Sequence, residues 1–200
     1  MKVIQLSAII FIVINGCNGQ SKKTEFRTFK DDQMGWSVDY PDYLRILSDT
    51  EIAAYEGRAE GPLEETIGEE IEYNHQNLIW LLKDRFNSFS SNSQPYDSEI
   101  DGPFEENQKM LNEAILETYK NQGIEFDSEF GTYNIDGLGF SSMTTKLYTP
   151  DRSKVILTQI VFERLFSNSR TLTLNINYNN PMDKEILMKI VDSSKLTIRN

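Results

Sequence analysis

Gly35-Trp36-Ser37-Val38-Asp39-Tyr40-Pro41 is the stretch on which the fold reading turns. Trp36, Val38 and Tyr40 alternate with Ser37 and Asp39, which is the period of a strand with one face buried, and Pro41 ends it. Working outward, Phe26 to Phe29 is an earlier strand, joined to this one by a turn through Asp31-Asp32-Gln33-Met34-Gly35. Downstream, Ser48 followed by Glu51 is a capping-box pair opening a helix through Ile52, Ala53 and Tyr55. Gly61 to Glu72 is acidic and broken by glycine and proline, so mixed loop and helix is expected there.

Leu78-Ile79-Trp80-Leu81-Leu82 is an unbroken apolar run. Period alone does not separate strand from helix, but the serines and asparagines after Phe86 support a helix poorly, which favours a strand. Glu105 to Gln122 is helical, with Met110, Leu111, Ala114, Ile115, Thr118 and Tyr119 at helical spacing and Gly123 at the cap. Strand patterns follow: Phe126 to Ile135, the turn Asp136-Gly137, Phe140 to Tyr148, and Val155 to Phe166, which is apolar on both faces like a central covered strand. Leu172, Leu174, Ile176 and Tyr178 then alternate with Thr173, Asn175 and Asn177. Asn180-Pro181 opens a last helix buried through Ile186, Leu187, Ile190 and Val191, and Leu196 with Ile198 reads as a closing edge strand. Strands joined by turns, with helices early, midway and last, predict an α+β domain: an antiparallel sheet flanked by helices.

The N-terminus carries an address. Lys2 precedes the apolar run Val3 to Ile14, far short of the ~20 residues that span a bilayer, so a secretory signal is expected rather than a transmembrane helix. Ile14-Asn15-Gly16-Cys17 resembles a bacterial lipobox, at which signal peptidase II cuts and the new N-terminal cysteine is lipidated. Three parts follow: residues 1–16 as lipoprotein signal peptide, 17–25 as lipidated Cys17 and flexible tether, and 26–200 as a single globular domain. Cys17 is the only cysteine, so no disulfide forms, and each buried acyl methylene of a palmitate-type chain contributes ~0.8 kcal/mol to membrane attachment. The expected location is the bacterial cell envelope, with the domain facing the periplasm or the cell surface.

Composition narrows the function. The chain has 20 basic and 31 acidic residues, a net charge of −11, opposite to the basic footprint of a nucleic-acid binder. Asp97-x-Glu99-x-Asp101-Gly102 has the alternate oxygen donors and the glycine of a calcium loop, but position twelve is Gln108 rather than a bidentate glutamate, and Pro103 follows the glycine. The acidic loop 97–106 is therefore a solvated turn with Asp97, Glu99 and Asp101 as weak cation candidates. A zinc site of nitrogen and sulfur ligands has too few donors, since His75 is the single histidine. His75 lies in the polar stretch Asn74-His75-Gln76-Asn77, and no G-x-S-x-G elbow exists to pair with it, so a surface or strand-edge histidine is expected and no catalytic residue is assigned. Glu64-Glu65 and Glu69-Glu70 read as a wet helix face. Of the aromatics Trp36, Tyr40, Tyr43, Trp80 and Phe86, most are expected in the core and some in a groove between helix and sheet.

Gly35-Trp36-Ser37-Val38-Asp39-Tyr40-Pro41 also resembles the opening strand of the PsbP-like fold. That fold occurs in an extrinsic photosystem protein, a Ran-binding nuclear-transport factor and many small bacterial lipoproteins. The three long late strands, the helix from Pro181 and Ser194-Lys195-Leu196 at the end fit it too. The resemblance spans residues 26 to 198 and implies an α/β/α sandwich. The chain is similar as well to envelope lipoproteins of the Bacteroidota type. These resemblances imply no shared catalytic motif, no cofactor, and a domain that binds or assists an envelope protein. A small-ligand or divalent-cation module is the alternative.

Overall fold

The computed structural model describes residues 24–68 and 74–197. The signal segment, Cys17, Glu69-Glu70 and Ile198 lie outside the described residues. Among those described, ten strands form two antiparallel sheets where one was expected. The smaller holds β1 (Phe26–Asp31), β2 (Trp36–Pro41) and β10 (Lys195–Leu196), in the order β1-β2-β10. The larger is built from β3 (Arg45–Ile46), β4 (Gln76–Asp84), β5 (Asn87–Pro95), β6 (Phe126–Ile135), β7 (Leu138–Tyr148), β8 (Val155–Phe166) and β9 (Arg170–Tyr178), ordered β3-β4-β5-β9-β8-β7-β6. Three helices, α1 (Asp49–Ile67), α2 (Phe104–Asn121) and α3 (Pro181–Asp192), complete the α+β domain. No helix among the described residues is long and apolar enough to cross a membrane.

The core lies between the two sheets and α3. Trp36, Val38 and Tyr40 turn inward from β2 and meet Phe89, Leu172, Leu174 and Ile176 from the large sheet, with Leu187, Ile190 and Val191 from α3. Trp36 stacks on Phe89 with ring centroids 6.5 Å apart. Each such side chain contributes roughly 1.5–3 kcal/mol by leaving water. The expected closing strand forms, but Leu196 pairs with Trp36 and so completes the small sheet rather than edging the large one.

Two local expectations change. The α1 helix does not break at Gly61 or Pro62 but runs to Ile67 and ends at Gly68, whose φ of 79° suits a residue without a side chain. Gly68 N–H closes that end on Glu64 O at 2.7 Å. The serines and asparagines after Phe86 form β5, a central strand with β4 on one side and β9 on the other. Elsewhere the expectations match. The Ser48–Glu51 capping box is made, α2 lies within one residue of its expected bounds, and β8 runs from Val155 to Phe166. Asn180 caps α3 with Pro181 in its first turn. Asp136 and Gly137 both have positive φ, as a tight two-residue hairpin between β6 and β7 needs.

Candidate functional site

Alternation along a strand sends neighbouring side chains to opposite faces of a sheet, and in the large sheet the two faces differ in chemistry. Phe89, Ile160, Phe162, Leu172, Leu174 and Ile176 take the core face. The other face, beneath α1 and α2, is largely amide and hydroxyl. The pairing register arranges it in tiers that cross the strands. One tier runs Asn77–Asn92–Thr173–Glu163–Ser141, the next Trp80–Ser90–Asn175–Val161–Met143, the third Leu82–Ser88–Asn177–Gln159–Thr145.

The helices roof this face without filling the space above it. Between α1, α2 and the sheet is a cavity of about 430 Å³, within the range of small-molecule sites, ~300–1,000 Å³. Its floor carries Ser90, Asn92, Gln159, Thr173 and Asn175, and Trp80 and Tyr119 form aromatic wall. Trp80 is held by Tyr55 of α1, ring centroids 5.7 Å apart. Tyr119 of α2 donates its hydroxyl to Gln159 Oε1 at 3.1 Å, and burial pushes its phenol up from the ordinary value. Asn175 Oδ1 is shut off from solvent and accepts no hydrogen bond. A second cavity of about 380 Å³ lies on the other side of α2, over Phe130, Ser141 and Glu163. Met143 and Val161 border both cavities.

His75 stands at the entrance of β4, the strand-edge alternative, and is partly buried rather than exposed. It lines the larger cavity, and its ring Nε2 lies 2.8 Å from Glu56 Oε1, the oxygen that also accepts from Asn77 Nδ2 at 2.8 Å. The Glu56 carboxylate therefore ties α1 to the entrance of β4. Gln108 belongs to no calcium loop either. Its amide turns inward and donates to Ser141 Oγ and to Glu163 Oε2. Asp97 Oδ1 accepts the Glu99 N–H at 2.9 Å, and Asp101 Oδ2 accepts the Asp97 N–H at 2.8 Å, so two of the candidate carboxylates close their own turn. Among the described residues no three or more His, Cys, Asp or Glu side chains gather as a metal would require.

Of the aromatics singled out in the sequence, Trp36 and Tyr40 are core, Tyr43 is exposed, and Trp80 lines the groove between helix and sheet. Tyr119, Asn92, Gln159 and Asn175 were not singled out. On alternating strands such residues read as solvent-facing, and nothing in the sequence says that two helices cover them.

No protein-family model matches the chain, and no curated protein matches it. Among solved structures, cyanobacterial PsbP (CyanoP) from Synechocystis sp. PCC 6803, determined in solution, is similar with a TM-score of 0.55 at 9% sequence identity. The match covers 92% of this chain and 98% of that one. The fold is PsbP-like. At that identity the likeness carries the architecture alone, and the chemistry of the PsbP-like domain has to be read from its own side chains.

Proposed function

We infer that the chain is an envelope lipoprotein, anchored through Cys17, whose PsbP-like domain holds a small molecule between its helical roof and the large sheet without transforming it. The observation that carries this reading is the 430 Å³ cavity floored by cross-strand amides and hydroxyls. Buried polar groups cost stability unless they are hydrogen-bonded, and a face of this kind under a roof has a use when a polar guest occupies it. Chemistry on the guest would need an activated nucleophile or a poised acid–base pair. The floor offers neutral amides and alcohols, and the His75–Glu56 pair, which also holds Asn77, serves to join α1 to β4. A small molecule suits the geometry better than a protein partner does. The most exposed apolar side chains, Phe26, Ile100, Met110 and Met182, lie on four different segments of the chain. Anchoring is supported by Lys2, the short apolar run and the lipobox-like Ile14 to Cys17.

Native mass spectrometry of the protein taken from its own membranes tests both parts. The expected spectrum shows a chain beginning at an acylated Cys17 and a non-covalent small-molecule mass. An Asn92→Trp variant, which fills the cavity, is expected to lose that mass while keeping its circular dichroism. An uncut or unacylated chain defeats the anchor, and a ligand-free spectrum defeats the binding role.

A further inference from the structure

We propose that the guest is a neutral saccharide, seated with its hydroxyls on the Asn92–Thr173 and Ser90–Asn175 pairs and its apolar ring face toward Trp80 and Tyr119; this rests on the binding role inferred above. Three exclusions lead to that class. Among the described residues, none that lines the larger cavity is lysine or arginine, so a phosphate or carboxylate would meet no counter-charge from them. Among the described residues Glu56 is the one carboxylate lining it, with Oε1 taken by His75 and Asn77, fewer oxygen donors than a divalent cation takes. An acyl chain would suit Leu63, Ile115 and Val161 in the lining but would leave the floor amides without a hydrogen bond.

What remains is a guest dense in hydroxyl donors and acceptors with one face of C–H groups. Asn and Gln carboxamides present a donor and an acceptor side by side, matching vicinal hydroxyls, and an aromatic wall receives the C–H face. Asn175 adds a specific draw. Its Oδ1 is buried and accepts no hydrogen bond, and a rotation about χ2, a soft torsion in asparagine, would be needed to turn it toward a guest hydroxyl. The same tiers explain why the face is hydroxyl- and amide-rich on β5 and β9 together, since paired positions on adjacent strands share one guest.

Titration calorimetry of the full-length protein with glucose, galactose, mannose, N-acetylglucosamine, maltose and cellobiose, and with adenosine and decanoate as contrasts, tests the class. At least one sugar is expected to bind. Asn175→Ala and Trp80→Leu should each weaken it by about tenfold, the loss of one good contact. Met182→Ala, exposed on α3, should leave affinity unchanged. Ser90→Ala, which removes one floor hydroxyl, guards against misfolding in the other variants and should weaken the same sugar. Silence with every sugar, while native material still carries a small-molecule mass, overturns the saccharide and leaves the binding role. Heat with adenosine or decanoate alone does the same. Silence together with ligand-free native protein removes both.

Discussion

Gln108 of α2 donates from Nε2 to Glu163 Oε2 of β8 at 2.9 Å, fastening the helical roof to the carboxylate set into the polar floor. Burial holds the Glu163 carboxyl above its ordinary 4.5, against the opposing pull of its hydrogen bonds from Gln108 and Thr173. The folded chain therefore keeps a proton that the unfolded chain releases. The stability associated with it is complete below 4.5 and is lost as pH rises through the raised value. Glu163→Gln keeps an acceptor for Gln108 and removes the charge. Thermal melts should show the variant above the parent at pH 8 by roughly 2 °C or more, with the gap closing toward pH 4. Equal melting at pH 8, or a gap that widens in acid, contradicts this account.

The opposite sign applies at the start of α1. Hydrogen bonding from the Ser48 backbone N–H, then from the Arg45 and Ser48 side chains, holds the Glu51 carboxyl down to about 2. The stability it lends the capping box is present above 4.5 and lost as pH falls toward 2. Carboxyl-detected NMR should find Glu51 titrating far below the exposed glutamates, and a midpoint among theirs would refute the capping geometry. Ser48→Ala should cost about 1 kcal/mol in chemical denaturation.

Leu174 and Asn175 are adjacent on β9 and face opposite ways, one into the core and one under the roof. Leu174→Ala should cost about 2–5 kcal/mol in urea unfolding, because a fully buried side chain leaves a cavity. Asn175→Ala should stay within roughly 1 kcal/mol of the parent, since it removes an acceptor that has no partner. Comparable losses at the two positions would show that the roofed face is structural.

Asp183, buried in the first turn of α3, is paired with Lys83 of β4 and receives Asn180 Nδ2 at 2.7 Å. Lys83→Met keeps much of the stem and removes the charge. The variant should unfold about 1–3 kcal/mol more easily, the usual penalty for leaving a buried polar group under-satisfied. A melt matching the parent's would mean that Asn180 alone suffices.

How much of this was legible beforehand differs element by element. The β9 strand and the α2 and α3 helices were read from period, because their apolar positions obey one face rule along their length, and β8 from a run apolar on both faces. The β5 strand was missed since Asn87 to Ser93 offers one large apolar residue, Phe89, and its small hydroxyls look like a loop. The continuity of α1 through Gly57, Gly61 and Pro62 ran against local propensity. Packing decides there, with Tyr55 on Trp80 and Glu56 on His75 and Asn77 fastening the helix before the weak residues arrive. His75 was placed at the surface or a strand edge because its neighbours are polar, and its partner Glu56 lies 19 residues away in sequence. Trp80 was foreseen as a groove candidate. The amides around it were not, because whether an alternating polar position meets water or a roof depends on how helices distant in sequence come to rest.

The segregation of the large sheet into a dry side and a wet side separates two kinds of inheritance. Substitutions at Ser90, Asn92, Thr173 or Asn175 leave Leu172, Leu174 and Ile176 on the opposite face, so under the binding role proposed above a lineage can retune its guest by small polar exchanges while the chain goes on folding the same way. Relatives of this protein with different appetites are expected to differ first along those four positions.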